Sequence, residues 1–156
     1  MPTDILPSII IIAVLLVFSA FFSASETAFS TCNRIKLKTL AEKGHKGAKR
    51  ALKIADAFDK TLTTILIGNN IVNIASTSIT TTLFVMLFGD AGAGIATAVM
   101  TVLVLIFGEI IPKSLAKETA DDGVMWMSVP LKFIMFILTP FSALFTLLKN
   151  GIIKLF

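Results

Sequence analysis

The chain has 156 residues, of which 55% are hydrophobic and only 15% charged, and its mean hydropathy is +0.88. A soluble domain carries about 25% charged residues, so the composition excludes an ordinary water-soluble fold, and the lack of alternating apolar and polar residues excludes a membrane β-barrel. The net charge of +4 is unevenly spread: no Lys or Arg precedes Arg34, nine of the fourteen lie from Arg34 to Lys60, and none lies from Thr61 to Pro112.

The apolar residues gather in four runs, 5–31, 61–88, 92–112 and 124–148. Each is near or above the about 20 residues that a helix needs to cross a bilayer. The pattern predicts an all-α polytopic membrane protein, a single transmembrane domain over 1–156. It comprises three transmembrane helices, amphipathic juxtamembrane helices over 34–60, and a proline-broken fourth hydrophobic segment. The first run has neither a basic flank before it nor a cleavage site, so a retained span is expected in place of a removed signal peptide.

Within the first run the aliphatic stretch Ile9–Phe18 gives way to Ser19, Ser23, Ser25, Glu26, Thr27, Ser30 and Thr31. Ala20, Ala24 and Ala28 recur at every fourth position, a spacing that permits close helix approach in a membrane; the stripe suits either a dimer face or the bundle. Ser23, Glu26 and Thr27 share one helical face. Cys32 is the single cysteine, so no intrachain disulfide forms.

The basic linker repeats apolar residues at helical spacing: Leu37, Leu40 and Ala41, then, after Gly44 and Gly47, Ala48, Ala51, Leu52, Ala55 and Phe58. Two short amphipathic helices at the inner interface are expected, their Lys and Arg turned to anionic lipid head groups. A basic stretch between two membrane segments does not suit nucleic-acid binding. His45 falls in this linker and is expected to be solvated.

The second run contains Gly68-Asn69-Asn70 and Asn73, followed by Thr or Ser at 77, 78, 80, 81 and 82. Asn69 and Asn73 lie one turn apart. Amides so placed either bond between helices, at about 0.6 kcal/mol each, or offer oxygen to a cation. After the turn Gly89-Asp90-Ala91-Gly92, the third run ends in Gly108-Glu109-Ile110-Ile111-Pro112-Lys113. Pro112 has no N–H, so the Gly108 carbonyl loses its usual helical partner. A carboxylate and a free backbone oxygen thus sit at nearly the same depth, and an ionisable residue there is a functional-site hypothesis by default. The fourth run is interrupted by Pro130, Lys132 and Pro140, which suits a re-entrant or interfacial helix.

The positive-inside rule puts the basic block in the cytoplasm. The N-terminus is then outside, the second run leads out, the third returns, and the C-terminus is cytoplasmic. At about 1.5 Å of rise per residue, Glu26 lies about 12 Å, Asn69 about 13 Å and Glu109 about 6 Å from the inner edge. The polar clusters converge in the inner half of the membrane. A re-entrant second run, with the third and fourth spanning, sends Glu109 toward the outer face and loses this convergence.

Two carboxylates, Glu26 and Glu109, therefore lie at membrane depth with no Lys or Arg in the same segments. A buried carboxylate without a partner either stays protonated or finds a cation. Its neighbours are Ser, Thr and Asn oxygens, which suit Mg²⁺, Ca²⁺ or Na⁺ and not zinc or copper. The alternative is a pair of protonated carboxyls hydrogen-bonded across the bundle. An enzyme is not expected: one His in a basic loop forms no Ser-His-Asp set, and there is no phosphate-binding glycine loop.

Three motifs, Phe22-Ser23-Ala24-Ser25-Glu26-Thr27-Ala28, Gly68-Asn69-Asn70-Ile71-Val72-Asn73 and Gly108-Glu109-Ile110-Ile111-Pro112-Lys113, occur in the order in which they resemble the transmembrane domain of the CNNM/CorC magnesium transporters. The resemblance covers nearly the whole chain. It implies magnesium transport at the plasma membrane, discussed as export coupled to sodium entry, and a homodimer. It also implies nucleotide-binding CBS domains after the membrane domain; the sequence stops at Phe156 without them, so an isolated membrane domain without nucleotide regulation is expected. Residue by residue, the resemblance assigns Ser23, Asn69, Asn73 and Glu109 to the magnesium site. The acid at Glu26 occurs in bacterial relatives, where animal relatives can have an amide, so Glu26 either sets the site's charge or takes the coupling ion. The expected site is one magnesium ion among Ser23, Glu26, Asn69, Asn73, Glu109 and the Gly108 carbonyl, with bending at Gly68, Gly108 and Pro112. A proton- or sodium-linked transporter without a divalent site, and a scaffold or sensor that binds magnesium without moving it, are the rival classes.

Overall fold

In hydrocarbon every backbone N–H and C=O needs an internal partner, and a helix supplies all of them within one segment. The computed structural model describes residues 5–155, and among these every regular element is helical. In chain order they are α1 (Ile5–Thr31), α2 (Arg34–Glu42), α3 (Lys46–Asp56), α4 (Phe58–Phe88), a 3₁₀ turn (Gly89–Ala91), α5 (Gly92–Leu103), a π-helical segment (Val104–Ile110), α6 (Ile111–Glu118) and α7 (Ala120–Leu155). Three stretches are long and apolar enough to cross a membrane: Ile5–Thr31, Phe58–Glu118 and Ala120–Phe145. The second of these holds a hairpin, because the chain reverses at Gly89, whose φ of +64° suits a residue without a side chain. Gly92 then sits so close to the Phe84 carbonyl that no Cβ fits, which clamps α5 against α4. The chain is an all-α multi-pass membrane protein.

α1 is the helix on which the others are assembled; it packs against α4, the π-helical segment, α6 and α7. Phe22, Ala28, Phe29, Ile65, Ala116, Val124 and Leu131 form one buried cluster, with Ala24 packed against it. Ala28 is fully buried, so the part of the alanine stripe at Ala24 and Ala28 packs within the bundle.

The apolar faces of α2 and α3 turn into the protein: Leu37, Ala48, Ala51, Ile54 and Ala55 join the same buried cluster, and α3 packs on α7. Their lysines and arginines are exposed. Asn33 caps α2 by accepting from the Lys36 N–H at 3.0 Å, while its own N–H donates to Asp121 Oδ1 at 2.8 Å. Lys36 Nζ donates to Asp121 Oδ2 at 2.9 Å. These bonds tie the start of α2 to the start of α7, and the carboxylate holds the Lys36 ammonium above its ordinary pKa. His45 is exposed, as expected, and has a structural task besides: its Nδ1 accepts from the Ala48 N–H at 3.2 Å and caps α3.

The break expected in the fourth hydrophobic segment is absent. Pro130 and Pro140 lie inside one continuous helix of 36 residues. Each proline removes one intrahelical bond, and membrane helices tolerate that loss where neighbouring groups re-satisfy the backbone. A helix of this length, about 54 Å, does not fold back as a re-entrant segment. Residues 1–4 and Phe156, and the side chains of Lys149 and Lys154 that bear on the placement of the C-terminus, lie outside the described residues.

Candidate cation site

Pro112 sets the local geometry. It cannot donate to the Gly108 carbonyl, and just before it the chain leaves the α-helical register. Val104–Ile110 is π-helical, and the Ile111 N–H bonds the Ile106 carbonyl five residues back. Single-turn π segments inside α-helices occur frequently at functional sites. Gly108 is buried in this segment, and a Cβ on it would stand 2.8 Å from Ser19 Oγ of α1. Only glycine lets the two helices approach so closely.

Ser19 is the junction of three elements. It is fully buried, and its hydroxyl donates to Asn69 Oδ1 of α4 at 3.1 Å. Asn73 Nδ2 donates to the same oxygen at 3.4 Å. Asn69, Asn73 and the Gly108 backbone therefore meet around Ser19. Gly68, beside them, is buried beneath the Phe22 ring, and a methyl group there would overlap that ring. Pro112 is buried at the start of α6.

Among the described residues, three side-chain oxygens are buried without any hydrogen-bond partner: Ser23 Oγ, Ser25 Oγ and Asn73 Oδ1. Leaving such an atom unsatisfied costs about 1–3 kcal/mol. Ser23 lies one turn of α1, about 6 Å, from Ser19 on the same face. Ser23 and Asn73 are both residues that the motifs single out as cation ligands.

The two carboxylates differ in their surroundings. Glu109, next to Gly108, is partly buried, and no hydrogen bond or ion pair reaches it among the described residues. Glu26 Oε2 lies 3.2 Å from Lys113 Nζ, with side chains 31% and 42% exposed. This corrects the expectation that neither carboxylate has a basic partner. Lys113 lies just past the third apolar run; α6 continues the helix through Pro112 and packs along α1, which carries the ammonium back to Glu26. No group of three or more His, Cys, Asp or Glu gathers as a metal cluster among the described residues. The oxygens around Ser19 are thus neutral, and Glu109, next to Gly108 in the chain, is a partly buried carboxylate without an ion pair among the described residues.

The geometry unites Asn69, Asn73 and Gly108 around Ser19, places Ser23 one turn away, and draws Glu26 toward Lys113; Glu109 adjoins the cluster through its chain neighbour Gly108. Ser19 is the residue that sequence reasoning missed. It is the first hydroxyl after the aliphatic stretch and lies four residues before Ser23, but nothing local marks Asn69 as its partner.

The family model described as the cyclin M (CNNM) transmembrane N-terminal domain matches residues 10–156. The chain is similar to a UPF0053 protein of Haemophilus influenzae, 38% identical over 146 residues, which cover 94% of this chain and 35% of that protein. It is similar to the UPF0053 inner membrane protein YfjD of Escherichia coli, 45% identical over 98 residues, 63% of this chain and 23% of that protein. A more distant likeness, 28% identical over 97% of this chain and 37% of the other, is to a polyamine export protein of Salmonella typhimurium. The chain spans well under half the length of these curated relatives. The three motifs and a family-model match over residues 10–156 lead to one conclusion: the chain belongs to the CNNM transmembrane-domain family.

Proposed function

We propose that this membrane domain transports magnesium, as export coupled to sodium entry, through the oxygen cluster around Ser19. The observation that carries the reading is the pair of buried, partnerless oxygens, Ser23 Oγ and Asn73 Oδ1, in the neighbourhood of the unpaired carboxylate of Glu109. Orphaned acceptors near an uncompensated negative charge are what a hard cation satisfies. Magnesium wants octahedral oxygen and dehydrates reluctantly, so with a single free carboxylate it keeps part of its water. Glu26, balanced by Lys113, acts on the ion through charge or takes the coupling sodium. In this reading the domain works as a homodimer in the plasma membrane, with the N-terminus outside, the basic linker and C-terminus in the cytoplasm and α7 lying along the inner interface without spanning, and performs no enzymatic step.

The test is magnesium titration of the purified protein by calorimetry, beside Glu109→Gln, with sodium varied. Saturable binding that the variant loses, with competition by sodium, is the expected result. A parent protein that binds no magnesium overturns the reading, and binding without flux in liposomes reduces the domain to a sensor. The relative named for polyamine export motivates a second reading, in which an organic ammonium occupies the same oxygens. Titration with spermidine in the same cell decides between them.

A further inference from the structure

Beyond Asn73, α4 changes character: six of the seven residues from Ser76 to Thr82 carry hydroxyls. Ser76 and Thr80 are buried against the bundle. The others line an open groove of about 540 Å³, bounded by Asn73, Ile74, Thr77, Ser78, Thr81 and Thr82. The groove begins at the amide whose oxygen is orphaned and runs toward the Gly89 end of α4.

Part of this groove's donor capacity is committed. Thr81 donates to the Thr77 carbonyl at 2.8 Å, Thr82 to the Ser78 carbonyl at 3.1 Å, and Asn73 Nδ2 to Asn69. A hydroxyl with a single proton already donated has only lone pairs left to offer. Reversing the Asn73 amide would set two carbonyl oxygens against each other, so its free atom is the acceptor. The wall thus presents acceptors at its Thr81–Thr82 end, the buried Asn73 oxygen lies behind its other end, and none of its residues is basic. An anion finds no positive charge here to pair with. A hydrated metal ion turns its water O–H groups outward and fits; so does an organic ammonium, through its N–H groups.

The geometry points to this groove as the outer half of the ion path, leading a cation with its water between the Asn69–Asn73 cluster and the Gly89 end of the bundle. The inference rests on the cation-transport reading and extends it, because the residues assigned by the motifs all lie from Asn73 inward.

The test uses the full chain in liposomes with Cys32→Ala, comparing Ser78→Cys with Ile10→Cys. α1 and α4 run antiparallel with Ser19 opposite Asn69, so Ile10 stands at about the level of Ser78 but is 55% exposed on an aliphatic face. Membrane-impermeant cationic and anionic methanethiosulfonates are applied from outside. Only the thiolate reacts, and it forms poorly in hydrocarbon, so Ser78→Cys is expected to react on the order of tenfold faster than Ile10→Cys. The cationic reagent is expected to outpace the anionic one. Magnesium should slow the reaction if the path serves the metal, and spermidine should slow it if the path serves an ammonium.

Equal rates at the two positions, equal rates for the two reagents, or protection by neither cation would overturn the inference. So would spontaneous disulfide formation between copies of Ser78→Cys, which would place a second chain on this face. Magnesium calorimetry on Ser78→Cys separates the two levels. Binding retained with an unreactive groove removes the path and leaves the inner site. Loss of all cation binding in the parent removes both.

Discussion

Glu26 and Lys113 stand 3.2 Å apart, carboxylate to ammonium, where the end of α1 meets the start of α6. A half-exposed pair of this kind contributes about 0–1 kcal/mol to stability, so under the proposed function its effect is on the charge near the candidate cation site. Replacing Lys113 with Gln removes a positive charge that opposes cation entry. Magnesium is expected to bind severalfold more tightly, with the gain shrinking at high salt as screening grows. Calorimetry at two ionic strengths reads this out. Weaker binding in Lys113→Gln would instead mean that the lysine holds Glu26 in a ligand position.

The orphaned Ser23 hydroxyl separates stability from function. Its oxygen has no partner to lose, and removing an unsatisfied buried polar atom is neutral or stabilising. Ser23→Ala should unfold at the same temperature as the parent or slightly above it, yet bind magnesium more weakly. A destabilised variant with unchanged binding would assign Ser23 to packing.

Gly108 and Ser19 should behave as one unit. Ser19→Ala deletes a single intramembrane hydrogen bond, about 0.6 kcal/mol on average. Gly108→Ala drives a methyl group to 2.8 Å from Ser19 Oγ and should cost about 1–3 kcal/mol, the range for overpacking. With the hydroxyl gone, the nearest Ser19 atom is Cβ at 3.5 Å, an ordinary contact. The double variant is therefore expected to lose less than the sum of the two single losses in thermal unfolding. Strict additivity would show that the helices separate at Gly108 without involving Ser19.

The Lys36–Asp121 latch carries a pH signature. Asp121's hydrogen bond and charge raise the Lys36 pKa above its ordinary 10.5. A folded-state pKa above the unfolded value gives a contribution fully present below 10.5 and lost as pH rises through the folded value. The difference in melting temperature between the parent and Lys36→Gln should be flat through neutral pH, vanish in strong alkali as Lys36 loses its proton, and vanish in acid as Asp121, whose pKa the Asn33 N–H and Lys36 hold below 3.8, takes one up. A difference that changes near pH 7 would point to another titrating group.

The second and third motifs were readable as chemistry because Pro112 and the paired amides are local features. Proline's missing N–H acts within one turn, and an i, i+4 pair shares a face whatever the helix packs against. Ser19 was not readable in the same way, since its partner Asn69 is fifty residues distant and one serine among several carries no mark of which neighbour it will meet. Proline was also over-read: Pro130 and Pro140 signal a break in water, but α7 runs through both.

Composition and the lengths of the apolar runs were enough to determine a helical protein that crosses a membrane, because hydrocarbon offers the backbone no partner outside its own segment. The motif order was enough to determine the family. Tertiary structure alone decided which carboxylate is balanced and which is free. That choice depends on how far α6 slides along α1 and on the turn of helix that Pro112 and the π segment insert, which are properties of packing between segments and leave no local trace in the chain.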